Sequence, residues 1–375
     1  MALAIDMIGT HLGSGTKTYN LNFCNYVNSQ NINEKIYIFI TKDYLDNINL
    51  QSNPKINYII KSAIFSNTFF RILWMQLFLP FELKKLKIEK LYSPMNMGPI
   101  FLRLFNIKLI LGLHSNLPWV YFSKMPGNFF RNIFTKFIME KSIFACDTLI
   151  VDSKFAKNEL TNLLKINENK VFAIHLGIDK IYLNLDNNED YLNNFEYNNY
   201  IISVLSCVKY HNIIKLLKAF KLLKQEKNID FKFVFVLQIL DKKYFSIIND
   251  FILNNFEKHE IIFLHNLDNK YLVNLYRKAT FYIFSSYCEV FGLTSLEAMS
   301  QGCPVLISNK SALPEINGEA AEYFDPDNEN QIKESMHKIL SEVNFRNDII
   351  AKGRIHSKKF RWEKTVQKTI KILDV

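Results

Sequence analysis

Short apolar runs alternate with stretches of helical periodicity along most of the chain. Runs suited to buried strands fall at Ala2–Gly9, Lys35–Thr41, Ile56–Lys61, Leu91–Pro94, Ile107–Leu113 and Thr148–Ser153, and Lys170–Gly177 closes the first domain. Between them the spacing predicts helices at Thr16–Asn28, about Asn67–Lys87 and Asn128–Phe144, with another after Ser153 as its N-cap. The pattern breaks over Asn184–Asn199, where Asn, Asp and Glu crowd together without apolar periodicity. It then restarts, with strands at Tyr200–Leu205, Lys232–Ile239, Ile261–His265, Phe281–Ser286 and Cys303–Ser308. Helices are predicted at about Asn212–Gln225, Lys242–Phe256, Lys270–Lys278 and Leu293–Gln301, the last closed by Gly302. Strand–helix units repeated on both sides of a polar linker predict an α/β protein of two doubly wound domains.

Chemistry concentrates between Phe281 and Asn317. Glu289 follows the first strand of this stretch and Glu297 lies within its helix, with seven residues between them. Ligands of open parallel sheets bind at the carboxyl ends of the strands, where helix N-termini offer free N–H groups to anions. Phe291, Gly292 and Leu293 therefore offer a phosphate cradle, with Gly292 allowing close backbone approach. Glu297 would accept hydrogen bonds from a ribose, and Glu289 would face whatever the phosphate carries. The same spacing also suits two solvated surface carboxylates, and from the spacing alone both readings stay open.

Two stations in the first half are candidates on the same grounds. Gly13-Ser14-Gly15 lies between a strand and a helix N-terminus, a phosphate-compatible loop that equally suits a plain tight turn. His114 stands at the tip of the Ile107–Leu113 strand, either as a functional group or as a structural hydrogen-bonding partner.

The segment around Glu289-Val290-Phe291-Gly292-Leu293 and Glu297 closely resembles the donor-site signature of retaining family-4 glycosyltransferases with the GT-B fold. Ser308-Asn309, Leu313-Pro314-Glu315, Ala320-Ala321 and Phe324-Asp325-Pro326 extend the resemblance, which is strongest over about Ile261–Asp327 and in register over nearly the whole chain. It implies two Rossmann-like domains facing across a cleft. An acceptor-side domain would span 1–183, the linker 184–199 and a sugar-nucleotide domain 200–358, with 359–375 a helix crossing back to the first domain. It also implies transfer of a sugar from a nucleotide-sugar donor to a saccharide or lipid-linked acceptor with retention, in surface polysaccharide or lipopolysaccharide synthesis, GDP-mannose being the guessed donor. In that frame Glu289 binds the sugar and serves catalysis, His114 orients the sugar, Gly13 to Gly15 approach the donor phosphates and acceptor, and Glu297 holds the ribose. A sugar-nucleotide epimerase on the same fold and a non-catalytic nucleotide-sugar-binding module are the alternatives.

The chain departs from the family after the first strand of the second domain. An Arg and a Lys five residues apart usually neutralise the donor diphosphate; those places fall at Ser206 and His211, with Lys209 between them. Lys209 and His211 are the candidate cations, aided by the N–H groups of Phe291 to Leu293.

Charge changes the picture in one respect. The chain of 375 residues carries a net +10, and residues 1–185 hold 21 Lys/Arg against 12 Asp/Glu while 186–375 hold 25 against 24. The basic first half sets Phe69, Phe70, Ile72, Leu73 and Trp74 beside Arg71, followed by Lys84, Lys85, Lys87 and Lys90. Its other basic helix sets Phe129, Phe130, Phe134 and Phe137 beside Arg131 and Lys136. Such surfaces bind anionic head groups, so peripheral attachment to the cytoplasmic face of a membrane is expected, core packing of the same residues being the alternative. No nucleic-acid-binding module accompanies the charge. Five cysteines without paired spacing fit a reduced, cytoplasmic compartment. The apolar start is too short for a signal peptide, and polar residues and Pro80 interrupt the Ile64–Leu83 stretch, so no spanning segment is expected. The histidines show no metal-ligand spacing and Asp325-Pro326-Asp327 reads as a turn, so neither metal nor cofactor is expected.

Overall fold

In the computed structural model, which describes residues 2–9, 15–29, 32, 34–45, 53–183, 199–227 and 229–374, the chain builds two sheets whose strands are all parallel. The first contains β1 (Ala2–Asp6), β2 (Lys35–Thr41), β3 (Ile56–Lys61), β4 (Lys90–Ser93), β5 (Lys108–Leu113), β6 (Thr148–Val151) and β7 (Val171–Ala173). Its order is β3-β2-β1-β4-β5-β6-β7, so the winding reverses between β1 and β4. The second contains β8 (Tyr200–Cys207), β9 (Lys232–Ile239), β10 (Ile261–Leu264), β11 (Phe281–Phe284), β12 (Val305–Ser308) and β13 (Glu322–Phe324). Its order is β10-β9-β8-β11-β12-β13, reversing between β8 and β11. Central strands are buried on both faces, as their near-continuous apolar runs require.

Two compact units result. The first comprises Met1–Trp119, Phe129–Gly177 and Trp362–Val375, and the second Val120–Asn128 and Ile178–Arg361. The helix Trp362–Leu373 belongs to the first unit because its inner stripe, Trp362, Thr365, Val366, Thr369 and Leu373, is buried there. Trp362 meets Tyr19 edge-on at 5.8 Å, and Thr365 donates to the His175 carbonyl at 2.7 Å. Burying an aromatic of this size is worth about 1.5–3 kcal/mol, one contribution to holding the helix on the sheet. The linker expected over 184–199 lies outside the described residues except for Asn199.

The helix expected over Asn67–Lys87 is instead three pieces: Thr68–Leu73, a π-helical turn Trp74–Phe78, and Leu79–Lys85. Pro80 has no N–H to return to the Gln76 carbonyl, so regular helix cannot run through it. The Gln76 side chain is tied elsewhere, donating to the Gly98 carbonyl at 3.1 Å and accepting from the Ile100 N–H at 2.9 Å. Arg71, Ile72, Trp74 and Lys90 are buried, at 5%, 5%, 3% and 8% exposure, which corrects their expected place on a basic surface. Arg71 lies 3.6 Å from the fully buried Asp6 at the end of β1. The three-residue strand β13 and the helices Glu329–Ser341 and Val343–Ser357 complete the second unit without having been read from the sequence.

Candidate active site

The switch point of the second sheet brings two loops together. After β8 the chain makes a tight turn, Lys209–His211, closed by Asn212 in the left-handed conformation at φ 58°. After β11 it runs through Glu289 to the helix Leu293–Ser300. The two are bonded directly: the Ser285 hydroxyl donates to the His211 carbonyl at 2.8 Å and the Tyr287 N–H to the Tyr210 carbonyl at 2.9 Å. Asn212 also anchors the turn by donating to the Pro326 carbonyl at 2.7 Å.

His211 is held within this junction. Its Nδ1 lies 2.7 Å from the Ser206 carbonyl, which can only accept, so Nδ1 carries a proton. Its Nε2 lies 3.2 Å from Oε1 of Glu289. His211 is 7% exposed and packs edge-on against Phe284 and Tyr210. His211, expected at the diphosphate, thus lies with its second nitrogen beside Glu289. Lys209, on the same turn, is exposed. Glu289 is fixed from its backbone as well, its N–H donating to Ser311 Oγ at 2.9 Å and its carbonyl accepting from Ala312.

Gly292 caps the N-terminus of the Leu293–Ser300 helix at φ 93°. A Cβ here would lie 2.5 Å from Leu313 Cδ2, so both conformation and space require glycine. Phe291 before it is 3% exposed and packs against Phe360, an anchor for the cradle through its side chain. The N–H groups of Leu293 and Thr294 lie in the first helical turn, beyond reach of an intrahelical carbonyl. At the other end Gly302, at φ 76°, closes the helix, with its N–H on the Met299 carbonyl and that of Cys303 on Ala298.

Glu297 is 8% exposed, and among the described residues its carboxylate accepts one hydrogen bond, a long one of 3.5 Å from the Tyr276 hydroxyl. Burial, reinforced by the nearby carboxylate of Asp179, pushes its pKa up to about 8. Neither glutamate is therefore a solvated surface group: one is paired with a histidine, the other is desolvated.

In the first unit, His114 follows β5. Its N–H donates to Asn96 Oδ1 at 2.6 Å, and its Nδ1 lies 2.9 Å from Oδ1 and 3.1 Å from Oδ2 of Asp152. Asp152, 2% exposed, fixes the tautomer by accepting from Nδ1, while the buried Nε2 has no hydrogen-bond partner among the described residues. Tyr19 lies against the ring with centroids 4.5 Å apart, and its hydroxyl is 2.6 Å from that of Tyr92. Gly112 leaves the imidazole its space, since a Cβ there would come within 3.4 Å of Nε2 and 2.9 Å of Pro94 Cα. Asp152, Asn96 and Tyr19 carried no local sequence signal, because they come from segments far apart in the chain that the fold brings around the tip of β5.

Of the glycine loop, Gly13 and Ser14 lie outside the described residues, and Gly15 begins the helix Gly15–Asn28 with open space where a Cβ would be. Asp325-Pro326-Asp327 is a turn: Asp327 accepts from Tyr287 at 2.6 Å and from Lys215 at 2.8 Å, and Lys310 lies 3.3 Å from Asp325. Among the described residues no three His, Cys, Asp or Glu side chains gather to hold a metal. None of the described helices is long and apolar enough to cross a membrane.

Two Rossmann-like units, each with candidate groups at its strand tips, define a GT-B α/β protein. The profile of the family described as Glycosyltransferase Family 4 matches residues 14–180, and that described as Glycosyl transferases group 1 matches 186–356. The chain belongs to this glycosyltransferase family, which selects the transferase among the readings left open by the sequence. It is 28% identical, over 74% of its length and 71% of the relative's, to an uncharacterized glycosyltransferase of Methanocaldococcus jannaschii. It is 23% identical to the O-antigen chain mannosyltransferase RfbU of Salmonella typhimurium, over 60% of this chain and 59% of that one. Among solved structures, sucrose-phosphate synthase of Thermosynechococcus elongatus has the same fold with a TM-score of 0.79 at 17% identity, covering 100% of this chain and 98% of that one.

Proposed function

We propose that this glycosyltransferase moves a hexose, with retention, from a nucleotide-sugar donor to a saccharide or lipid-linked acceptor. The observation that carries this reading is the His211–Glu289 pair at the switch point of the second sheet, beside a helix N-terminus opened by Gly292. The leaving diphosphate is met by Lys209 and the N–H groups at Phe291 to Leu293, which favour negative charge without a metal. Glu289 faces the sugar and stabilises positive charge developing at its anomeric carbon, while Glu297 receives the ribose. In the first unit, His114 meets a sugar hydroxyl through Nε2, and Gly13 to Gly15 serve the phosphates and acceptor. The acceptor oxygen bonds to the anomeric carbon as the bond to the diphosphate breaks, and the acceptor's proton leaves to the departing phosphate oxygen. The likeness to an O-antigen mannosyltransferase supports GDP-mannose as donor and surface polysaccharide or lipopolysaccharide as product class. An acceptor of that kind is consistent with a protein working at the cytoplasmic face of a membrane, and no nucleic acid enters the reading.

The test combines a panel of nucleotide sugars with two variants. Glu297→Ala removes hydrogen bonds that free nucleoside diphosphate also feels, and should weaken its binding about tenfold or more. Glu289→Gln keeps shape but loses charge, and should leave nucleotide affinity nearly unchanged while turnover falls by roughly two orders of magnitude. Normal binding and turnover in both variants would sink the assignment. Control of nucleotide affinity by Glu289 would exchange the two roles.

A further inference from the structure

We propose that the apolar face of the first unit docks on an anionic lipid bilayer, and that a groove between its aromatic helices seats one lipid hydrocarbon chain. Most of the exposed large apolar side chains among the described residues fall between Ile60 and Phe144, all in this unit. Two helices far apart in sequence, Thr68–Leu73 and Phe129–Ala145, meet at a groove of about 490 Å³ lined by Phe69, Ile72, Phe130 and Phe134 with Asn67 and Arg131. Phe69 is 59% exposed and Phe130 79%, values that water alone does not favour for side chains of this size. Elsewhere in the unit Phe81 packs edge-on against Phe105 at 5.1 Å, and Phe101 and Leu104 are exposed.

The occupant follows from the charges set among these rings. Lys84 lies 5.9 Å from the Phe105 ring centre and Lys141 5.4 Å from that of Phe137, with Arg131 in the groove wall. Aromatic bodies with interleaved cations match the boundary between acyl chains and anionic head groups. A second copy of the chain, docked by the same face, would set these cations against their own equivalents. An anionic bilayer complements them instead. The groove differs from the surface expected from sequence, because Arg71 and Trp74 are buried and do not line it. The proposal stands on the surface itself and does not require the transferase reading.

Flotation with vesicles tests it, using phosphatidylcholine alone and phosphatidylcholine mixed with phosphatidylglycerol. The full chain should float with the anionic vesicles and be released as salt rises. Phe130→Ser with Phe134→Ser should weaken that binding about tenfold or more, with unchanged thermal unfolding since both rings are exposed. Phe134→Trp should show fluorescence quenched by brominated acyl chains beyond any quenching seen in the unsubstituted protein. Failure to bind anionic vesicles, or undiminished binding by the double variant, would overturn the docking face. A bound but unquenched Trp would overturn the groove as a chain site, and self-association through these rings without vesicle binding would make the occupant a second copy. Glu289→Gln should float like the unsubstituted protein, so that loss of sugar transfer and loss of docking are read separately.

Discussion

Nε2 of His211 lies 3.2 Å from Oε1 of Glu289, while Nδ1 of the same ring is held by the Ser206 carbonyl. One side chain thereby joins the turn after β8 to the loop after β11. The position at which the family resemblance places a cation for the diphosphate here lies beside a carboxylate. His211→Ala should lower turnover by about 10- to 100-fold, the range expected for one hydrogen bond to a charged group, with nucleoside diphosphate affinity changed little. His211→Gln, which can still donate near the Nε2 position, should recover part of that loss. Turnover and calorimetric affinity measured together decide it: a matching fall in nucleotide affinity would return His211 to the diphosphate.

Glu297 makes nucleotide binding depend on pH. With its pKa pushed up to about 8, the carboxyl is mostly protonated at neutral pH in the empty protein. A ribose diol donates best to the ionised form, so binding should tighten as pH rises through 8 and should release a proton at pH 7. Calorimetry in buffers of different ionisation enthalpy reads that proton directly. The folding term has the opposite sense. Because the folded pKa lies above the ordinary carboxylate value, the stabilisation is full below about pH 4.5 and is lost as pH rises through 8. Glu297→Gln should flatten the fall in melting temperature over that interval.

Asp152 governs the imidazole of His114 by accepting from Nδ1. Asp152→Asn removes the charge and admits the wrong tautomer, so turnover should fall at least tenfold while nucleoside diphosphate affinity, proposed to rest mainly on Lys209, Phe291 to Leu293 and Glu297, changes little. Since Asp152 is buried, a melting curve must accompany the assay. Equal loss of stability and activity would reduce its role to packing.

Sugar transfer should survive a chelator. Lys209 and the N–H groups of Phe291 to Leu293 are the groups assigned to the diphosphate charge. Loss of turnover with EDTA, restored by Mg²⁺ or Mn²⁺, would return Asp325 and Asp327 to consideration.

Strand–helix alternation, two sheets and the stations of Glu289, Gly292 and Glu297 were determined by the sequence alone, because each rests on contacts close in the chain. A buried parallel strand needs a continuous apolar run, and a left-handed helix cap beside Leu313 needs glycine. The boundaries of β2, β3 and β9 are legible to the residue. Tertiary structure alone decided which side chains meet. His211 reaches Glu289, and His114 reaches Asp152, only because parallel neighbours bring distant strand tips side by side. Burial of Glu297 beside Asp179 is likewise set by the second unit's packing, and with it the pKa. Periodicity marks Phe69, Ile72 and Trp74 alike as apolar; the π-helical turn before Pro80 and the buried Asp6 determine which of them face water. Local preference is a property of a short segment, whereas solvation and charge pairing belong to whatever the fold places a few ångströms away.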